Sequence, residues 1–154
     1  SAGDYHSLAL TADGAFFTWG KGEGGCLGHG EDLSNQLLPK KIEALAGKRV
    51  VAVSAGGMHN LALTADGGVC SWGDGNDGRL GHGNREGQLL PKKVEAFAGQ
   101  RVVTVSAGGY HSIAITADSA VFTWGEGEDA SLGHGEDLSN QLLPKKIETW
   151  ALGQ

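Results

Sequence analysis

The chain lacks the features that would direct it to a membrane or to nucleic acid. None of its 154 residues belongs to a run of eighteen apolar residues or to a charged-then-apolar leader, so we expect no membrane partner and no secretion signal. A basic surplus is also missing, because eighteen acidic side chains outnumber twelve basic ones and give a formal net charge of -6. This balance argues against nucleic acid as a partner, since its recognition needs a basic face.

Cysteine is scarce, and the two cysteines, Cys26 and Cys70, do not recur in the repeats of the chain. The equivalent positions hold other residue types, namely Arg79 and Ser131 for the first and Phe17 and Phe122 for the second. A disulfide or a metal site would be expected to recur or to cluster. We therefore expect two reduced thiols, no metal or other cofactor, and an intracellular (cytoplasmic or nuclear) protein.

Glycine, by contrast, is abundant, at 27 of 154 residues, and it recurs at fixed offsets within three repeats. The recurring motifs are Ser-Ala-Gly at 1–3, 54–56 and 106–108, Leu-Gly-His-Gly from 27, 80 and 132, and Leu-Pro-Lys-Lys from 38, 90 and 143. Residues 27–43 and 132–148 are identical. Patterned glycines are typical of turns in a β protein, and the chain divides into repeats of about 1–53, 54–105 and 106–154 within one domain, 1–154.

The second repeat, with its lead-in, predicts four short strands separated by turns. They span residues 49–54, 59–64, 69–72 and 91–95, and a hairpin turn lies at 65–68. Four strands in about 50 residues are typical of a β-propeller blade, whereas the coils of a β-solenoid are shorter. No segment has a sustained 3.6-residue period, so we predict an all-β chain of three blades, each with four antiparallel strands, and no long helix.

Several spaced motifs resemble the regulator of chromosome condensation repeat. They are Ser-Ala-Gly-Gly-Tyr-His-Ser at 106–112, Thr-Ala-Asp at 116–118, Val-Phe-Thr-Trp-Gly at 121–125 and Leu-Gly-His-Gly at 132–135. The resemblance covers the whole chain in three copies and implies a propeller, usually of seven blades. Members of the family include a chromatin-bound exchange factor for a small GTPase, a plant UV-B photoreceptor, and propellers attached to ubiquitin ligases, so the fold does not settle the function.

The number of blades departs from the family pattern. Three blades cannot close a ring that needs four to eight. The chain begins just after a valine strand position, and nothing after the third repeat matches 49–53 or 101–105. We expect either a partial propeller completed by further blades or one half of a ring assembled from two copies of the chain.

Six histidines recur and could suggest a metal cluster or catalytic bases. Three follow the Ser-Ala-Gly motif, namely His6, His59 and His111, and three lie in glycine turns, namely His29, His82 and His134. Histidines inside a fold are usually satisfied by hydrogen bonds. We therefore interpret the first three as structural anchors that bond the backbone of an adjacent turn, and the other three likewise.

Tryptophan also recurs, at Trp19, Trp72 and Trp124, and we interpret these residues as one packing anchor per blade rather than as chromophores. In the UV-B photoreceptor the light-sensing tryptophans belong to a Gly-Trp-Arg-His motif. The positions that match its Trp-Arg pair hold Asp4-Tyr5, Gly57-Met58 and Gly109-Tyr110, so we expect no photoreception by that mechanism. Trp150, which replaces Leu45 and Phe97, looks like an ordinary apolar substitution.

The remaining polar motifs have plain structural interpretations. The lysine pairs, at 40–41, 92–93 and 145–146, could grip phosphates, but neighbouring glutamates favour solvated edge strands. Residues 74–78 resemble a calcium loop but place Arg79 and Arg85 where its glycine and glutamate belong. No set of nucleophile, base and orienting group is found, so we expect neither an enzyme nor a small-molecule site.

These observations favour a protein–protein interaction scaffold that presents variable side chains from a fixed frame. The variable positions beside the histidines are Asp4, Tyr5, Met58 and Tyr110, in a turn at one rim. Two alternatives stay open. One is a regulatory exchange factor for a small GTPase, which rests on the family resemblance, and the other is a designed or fragmentary repeat protein without its own activity.

Overall fold

A computed structural model describes residues 1–45 and 47–148, and these residues form three antiparallel β-sheets. The described strands are β1 (His6–Leu10), β2 (Phe16–Gly20), β3 (Gln36–Lys41), β4 (Val50–Ala55), β5 (His59–Thr64), β6 (Val69–Gly73), β7 (Gln88–Lys93), β8 (Val102–Ala107), β9 (His111–Thr116), β10 (Val121–Gly125) and β11 (Gln141–Lys146). The sheet orders are β1-β2-β3, β4-β5-β6-β7 and β8-β9-β10-β11. Each sheet is one blade, so the predicted all-β architecture is confirmed.

The described part of the first blade has three strands, as the position of residue 1 just after a valine strand position suggests. Ser1 and Ala2 are the sequence equivalents of Ser54 and Ala55, the last two residues of β4. Ser1 exchanges two backbone hydrogen bonds of 2.9 Å with Leu8, and Ala2 pairs with Ser7. The second and third blades have the full set of four strands.

The outer strand of each blade begins earlier than predicted and crosses a proline. In the second blade, β7 starts at Gln88, whereas the sequence placed the strand at 91–95. Ser71 of β6 pairs with Lys92 of β7, and Gly73 pairs with Gln88. The register therefore shifts within the stretch of β7 that contains Pro91. A proline has no N–H to donate, so an irregular outer strand tolerates it where a regular ladder would not.

Short 3-10 turns, which the sequence reasoning did not predict, connect several strands. They span Glu23–Gly25, Asn76–Gly78, Glu95–Phe97 and Glu128–Ala130. Three of the four follow β2, β6 and β10. They lie at the end of each sheet where the recurring histidines begin β1, β5 and β9. These turns therefore shape the rim described below.

Two hydrophobic clusters fill the spaces between successive blades. The first cluster includes Leu8, Phe16 and Ile42 from the first blade and Val50 and Trp72 from the second. The second cluster includes Leu61, Val69 and Phe97 from the second blade and Val102 and Trp124 from the third. Full burial of each large side chain contributes about 1.5–3 kcal/mol relative to exposure, so these layers hold the blades together.

Candidate interaction rim

The same end of every blade carries a tight turn and a long loop, which together form what we call the rim. The turns are 3–6, 56–59 and 108–111, and the loops are 21–35, 74–87 and 126–140. In each turn the glycine N–H donates to the histidine carbonyl over 2.7–2.9 Å. In each loop the first residue donates its N–H over 2.9–3.1 Å to the carbonyl of Tyr5, Met58 or Tyr110. The backbone of these three residues is therefore fixed, whatever the side chain.

The side chains at these positions face outward to different degrees. Tyr5 and Tyr110 are 63% and 58% exposed, and Met58 is half-buried beside Gly24 of the first-blade loop. The Nζ of Lys21 lies 5.3 Å from the centre of the Tyr5 ring, and the Cζ of Arg79 lies 5.0 Å from that of Tyr110. A cation over a ring orients an aromatic side chain without burying it.

Asp4 is exposed and borders the second blade. Its Oδ2 lies 3.3 Å from the point that a Cβ on Gly57 would occupy. Position 57 thus has little room for a side chain while Asp4 keeps this conformation. Asp4, Tyr5, Met58 and Tyr110 thus lie in equivalent turns of neighbouring blades.

Arg79 is a rim residue whose role the sequence reasoning missed, since it was considered only as a replacement for Cys26 and as a mismatch in a calcium loop. Its side chain is 4% exposed and contacts Asp77 at 3.0 Å and Asp74 at 3.7 Å. Its Nε also donates to the Asn76 carbonyl at 2.8 Å. A buried guanidinium needs such partners, and the signal for it was an arginine closely following two aspartates in one loop.

His6 and His59 join neighbouring blades rather than bonding the backbone of an adjacent turn as expected. The Nε2 of His59 lies 2.8 Å from the Ser112 hydroxyl, which donates to the Arg79 carbonyl at 2.8 Å. His6 Nε2 lies 2.5 Å from Asn60 Oδ1, and the Asn60 amide donates to the Cys26 carbonyl. We call this histidine–side chain–carbonyl unit the inter-blade relay.

Burial keeps the relay histidines neutral. It lowers the pKa of His59 to about 3 and also lowers the pKa of His6. Since the Ser112 hydroxyl uses its proton on the Arg79 carbonyl, His59 Nε2 must carry the proton that joins the two side chains. His111 holds the same place in the third blade, and among the described residues its ring has no hydrogen-bond partner.

These three blades match the family model described as the Regulator of chromosome condensation (RCC1) repeat, over residues 13–63, 66–115 and 118–151. The chain belongs to the RCC1 repeat family. Among curated relatives it is 48% identical over 150 residues to the human E3 ubiquitin-protein ligase HERC2 and 39% identical over 148 residues to the Ultraviolet-B receptor UVR8 of Arabidopsis thaliana. Both matches cover 96% of this chain, but the chain spans only 3% of the length of HERC2 and 33% of the length of UVR8.

Solved RCC1-type structures have the same arrangement of blades. Human WBSCR16 matches with a TM-score of 0.88 and 30% identity, over 99% of this chain. Prp20p from Saccharomyces cerevisiae matches with a TM-score of 0.85 and 26% identity, over 97% of this chain. The chain spans 38% of the length of each of these structures.

In these RCC1 repeats the tryptophans pack between blades where a preceding blade is present. Trp72 and Trp124 are fully buried, and their indole nitrogens have no hydrogen-bond partner among the described residues. A Cβ on Gly28 would lie 2.9 Å from the Trp72 nitrogen, so this position needs glycine for the close approach. Trp19 is half-buried on the outer face of the first blade, and Trp150 lies outside the described residues.

The second set of RCC1-repeat histidines caps a hydroxyl in each blade. The Ser71 hydroxyl donates to the Leu80 carbonyl at 2.7 Å and lies 2.9 Å from His82 Nε2. Threonines replace the serine in the first and third blades, with the same partners. Burial lowers the pKa of His82 to about 4, so this histidine is also neutral near pH 7.

The cysteines and the candidate metal ligands can be placed within residues 1–45 and 47–148. Cys26 and Cys70 are buried and unpaired there, and burial raises the pKa of Cys26 to about 11 and that of Cys70 above its usual range. The same part of the chain brings no three metal-ligating side chains together. It also contains no helix long and apolar enough to cross a membrane.

The recurring lysine pairs lie on the outer strands. Lys40 contacts Asp32 at 3.1 Å and Lys145 contacts Asp137 at 2.7 Å, and all four side chains are exposed. Exposed pairs of this kind contribute about 0–1 kcal/mol. The lysines lie on solvated outer strands, where their charge disfavours pairing with a strand of another chain.

Proposed function

We propose that this RCC1-repeat chain is a protein–protein interaction scaffold whose binding surface is the rim, centred on Asp4, Tyr5, Met58 and Tyr110. The main support for this proposal is that a hydrogen-bonded backbone presents a variable side chain at the same place in each blade, with both tyrosines facing outward. Tyrosine supplies a large contact area at a low entropy cost, and exposed tyrosines are enriched in protein interfaces. We propose no catalytic role for the chain.

The charge of the rim supports a partner with a basic contact surface. The three rim loops contain eleven acidic and three basic side chains, and the third-blade loop alone has five acidic and no basic ones. Complementary charge speeds association and selects partners, and salt weakens it. We therefore expect the interaction to be faster at low salt than at physiological salt.

The test compares two triple variants in a pull-down with quantified partner recovery. Tyr5→Ala, Met58→Ala and Tyr110→Ala together change the rim, whereas Lys41→Ala, Lys93→Ala and Lys146→Ala change three exposed side chains on the outer strands. We expect a partner that is captured by the wild type and the lysine variant and lost by the rim variant. Equal recovery by both variants would exclude the rim as the binding surface.

A second candidate function is the stimulation of nucleotide exchange on a small GTPase. Its support is the structural likeness to Prp20p, whose crystal structure is described together with its binding to Gsp1p and histones. Release of a fluorescent nucleotide from a small GTPase, with and without the chain, tests this function. An unchanged release rate at saturating chain removes the candidate.

We also propose that residues 1–154 form one partial propeller, with repeats that divide near residues 53 and 105. Further blades, or a second copy of the chain, would then complete the ring. The match to 38% of two larger RCC1-type structures supports a partial ring. Two buried, unpaired thiols support an intracellular location.

A further inference from the structure

Arg79 lies beneath the Tyr110 ring at the junction between the second and third blades. The Cζ of Arg79 lies 5.0 Å from the ring centre. The Arg79 side chain is 4% exposed, whereas Tyr110 is 58% exposed. The guanidinium is therefore an internal support for a ring that faces the solvent.

The guanidinium of Arg79 is held by its neighbours, and these in turn connect the two blades. Its Nε donates to the Asn76 carbonyl at 2.8 Å, and its Nη2 donates to one oxygen of Asp77 at 3.0 Å. The other oxygen of Asp77 accepts a hydrogen bond of 3.1 Å from the Asn140 amide, whose own oxygen accepts one of 3.0 Å from the Gly127 N–H. A planar guanidinium with several fixed partners is held in one orientation.

This set of side chains, which we call the arginine support, consists of Tyr110, Arg79, Asp77 and Asn140. At the junction between the first and second blades the equivalent residues are all of other types, namely Met58, Cys26, Gly24 and Gly87. Both junctions nevertheless have a buried hydrophobic cluster and a histidine of the inter-blade relay. Two blades therefore join without the arginine support, so that the joining of blades does not account for it.

The other rim tyrosine has a weaker support. The Nζ of Lys21 lies 5.3 Å from the centre of the Tyr5 ring, but the Lys21 side chain is 43% exposed and pairs with the exposed Glu23. A flexible ammonium group in water restrains a ring less than a buried, planar guanidinium does. Of the two rim tyrosines, Tyr110 is thus the preorganised one.

Two aspartates keep the arginine support from repelling a basic partner. Arg79 contacts Asp77 at 3.0 Å and Asp74 at 3.7 Å, so two carboxylates offset one guanidinium. The exposed part of the Tyr110 ring can then accept a cation of the partner, because the face of an aromatic ring attracts positive charge.

We infer that Arg79 is the positioning residue of the rim: it holds the Tyr110 ring in the orientation that binds, and it makes the second junction the preformed contact for a lysine or arginine side chain of the partner. An aromatic side chain that is ordered before binding loses less conformational entropy in the complex. At the first junction Met58, a flexible side chain, adapts to the partner instead. This inference rests on the proposed interaction rim and names the side chain that the second junction recognises.

The first experiment measures the mobility of the rings in the full chain. The chain contains two tyrosines, so NMR relaxation with ¹³C-labelled tyrosine follows each ring separately. We expect the Tyr110 ring to be more restrained than the Tyr5 ring in the wild type, and as mobile as the Tyr5 ring in Arg79→Lys, which keeps the charge but removes the planar group. Asp77→Asn suits the left-handed backbone of this position, where φ is 61°, and should loosen the Tyr110 ring by a smaller amount. It replaces Arg79→Lys if that variant does not fold, and a Tyr110 ring whose mobility does not change would overturn the inference.

The second experiment measures binding with peptides of about twelve residues, selected from a random library on the wild-type chain. Peptides that need the rim are those no longer bound by the triple rim variant. We expect them to contain lysine or arginine and to bind both Arg79→Lys and Tyr110→Ala roughly tenfold more weakly in fluorescence anisotropy. The matched control is Lys21→Gln, which removes the cation over Tyr5 and should change the affinity by less than about twofold.

A double-mutant comparison separates positioning from a purely structural role. In the Tyr110→Ala background, Arg79→Lys should have almost no further effect on binding, because Arg79 acts through the ring. An equal loss with and without Tyr110, or rim peptides that bind Arg79→Lys like the wild type, would overturn the inference. Selected peptides that all still bind the triple rim variant would instead count against the proposed interaction rim, and the ring mobility of Tyr110 would still decide whether Arg79 positions it.

Discussion

Acidification should loosen the junction between the second and third blades through His59. This histidine is fully buried, donates to Ser112, and has its pKa lowered to about 3 by burial. In the unfolded chain the imidazole has an ordinary pKa of about 6.5. Between these two pKa values the unfolded state binds a proton at His59 and the folded state does not. The stability contributed by neutral His59 is therefore present above pH 6.5 and is lost as the pH falls from 6.5 towards 3.

The size of the effect follows from proton linkage. One histidine that titrates only in the unfolded state costs about 1.4 kcal/mol for each pH unit below 6.5. Between pH 7.5 and pH 5, His59 alone should lower the free energy of unfolding by about 2 kcal/mol. The exposed aspartates with lowered pKa values, such as Asp32 and Asp137, act at lower pH and do not confuse this window.

The assay is urea denaturation at pH 7.5 and pH 5 for the wild type and for His59→Gln, which keeps a side-chain donor but cannot titrate. The wild type should lose about 2 kcal/mol more than the variant over this interval. A proton NMR titration of the His59 ring should stay flat to about pH 4. An equal loss of stability in both proteins, or a ring that titrates near pH 6.5, would refute the buried-histidine reasoning.

Three further predictions concern the junctions and the thiols. Trp124→Ala should lower the free energy of unfolding by about 3–5 kcal/mol in urea denaturation, and Trp19→Ala by clearly less, since only the first tryptophan is fully buried; equal losses would contradict the inter-blade packing. Asn60→Leu should cost about 2–4 kcal/mol in the same measurement, because it strands His6 and the Cys26 carbonyl without partners, and a neutral effect would count against the relay. Cys26 and Cys70 should react with a thiol reagent at the rate of unfolding and not at the rate of an exposed thiol. Stopped-flow measurements of the reaction with and without denaturant test this, and fast reaction of the folded chain would contradict it.

The blades could be predicted because their signals are local and recur. Turn glycines, hairpin motifs and the alternation of apolar residues place β5 and β6 of the second blade within one residue of the predicted 59–64 and 69–72. The outer strand was placed too late, since Pro91 reads as a strand start and the irregular pairing that accommodates it leaves no sequence signal.

The junctions could not be predicted because they join residues about 50 positions apart. Periodicity shows that His59 recurs, but not that Ser112 of the next blade meets its ring. Arg79 was considered only as the replacement for Cys26 and as a mismatch in a calcium loop, and the distances from its side chain to those of Asp74 and Asp77 cannot be read from the sequence. The variable rim residues, in contrast, were identifiable as differences within a constant frame, and their role in binding stays a prediction.

The relay also bears on how such a chain can evolve. Asparagine completes the first junction and serine the second, and these side chains differ in length, although each reaches a histidine and a carbonyl of the preceding blade. A blade that is duplicated in place or moved elsewhere brings its relay side chain to the histidine and carbonyl of a different preceding blade. Any change in the number or order of blades therefore requires the relay residue at each new junction to fit again.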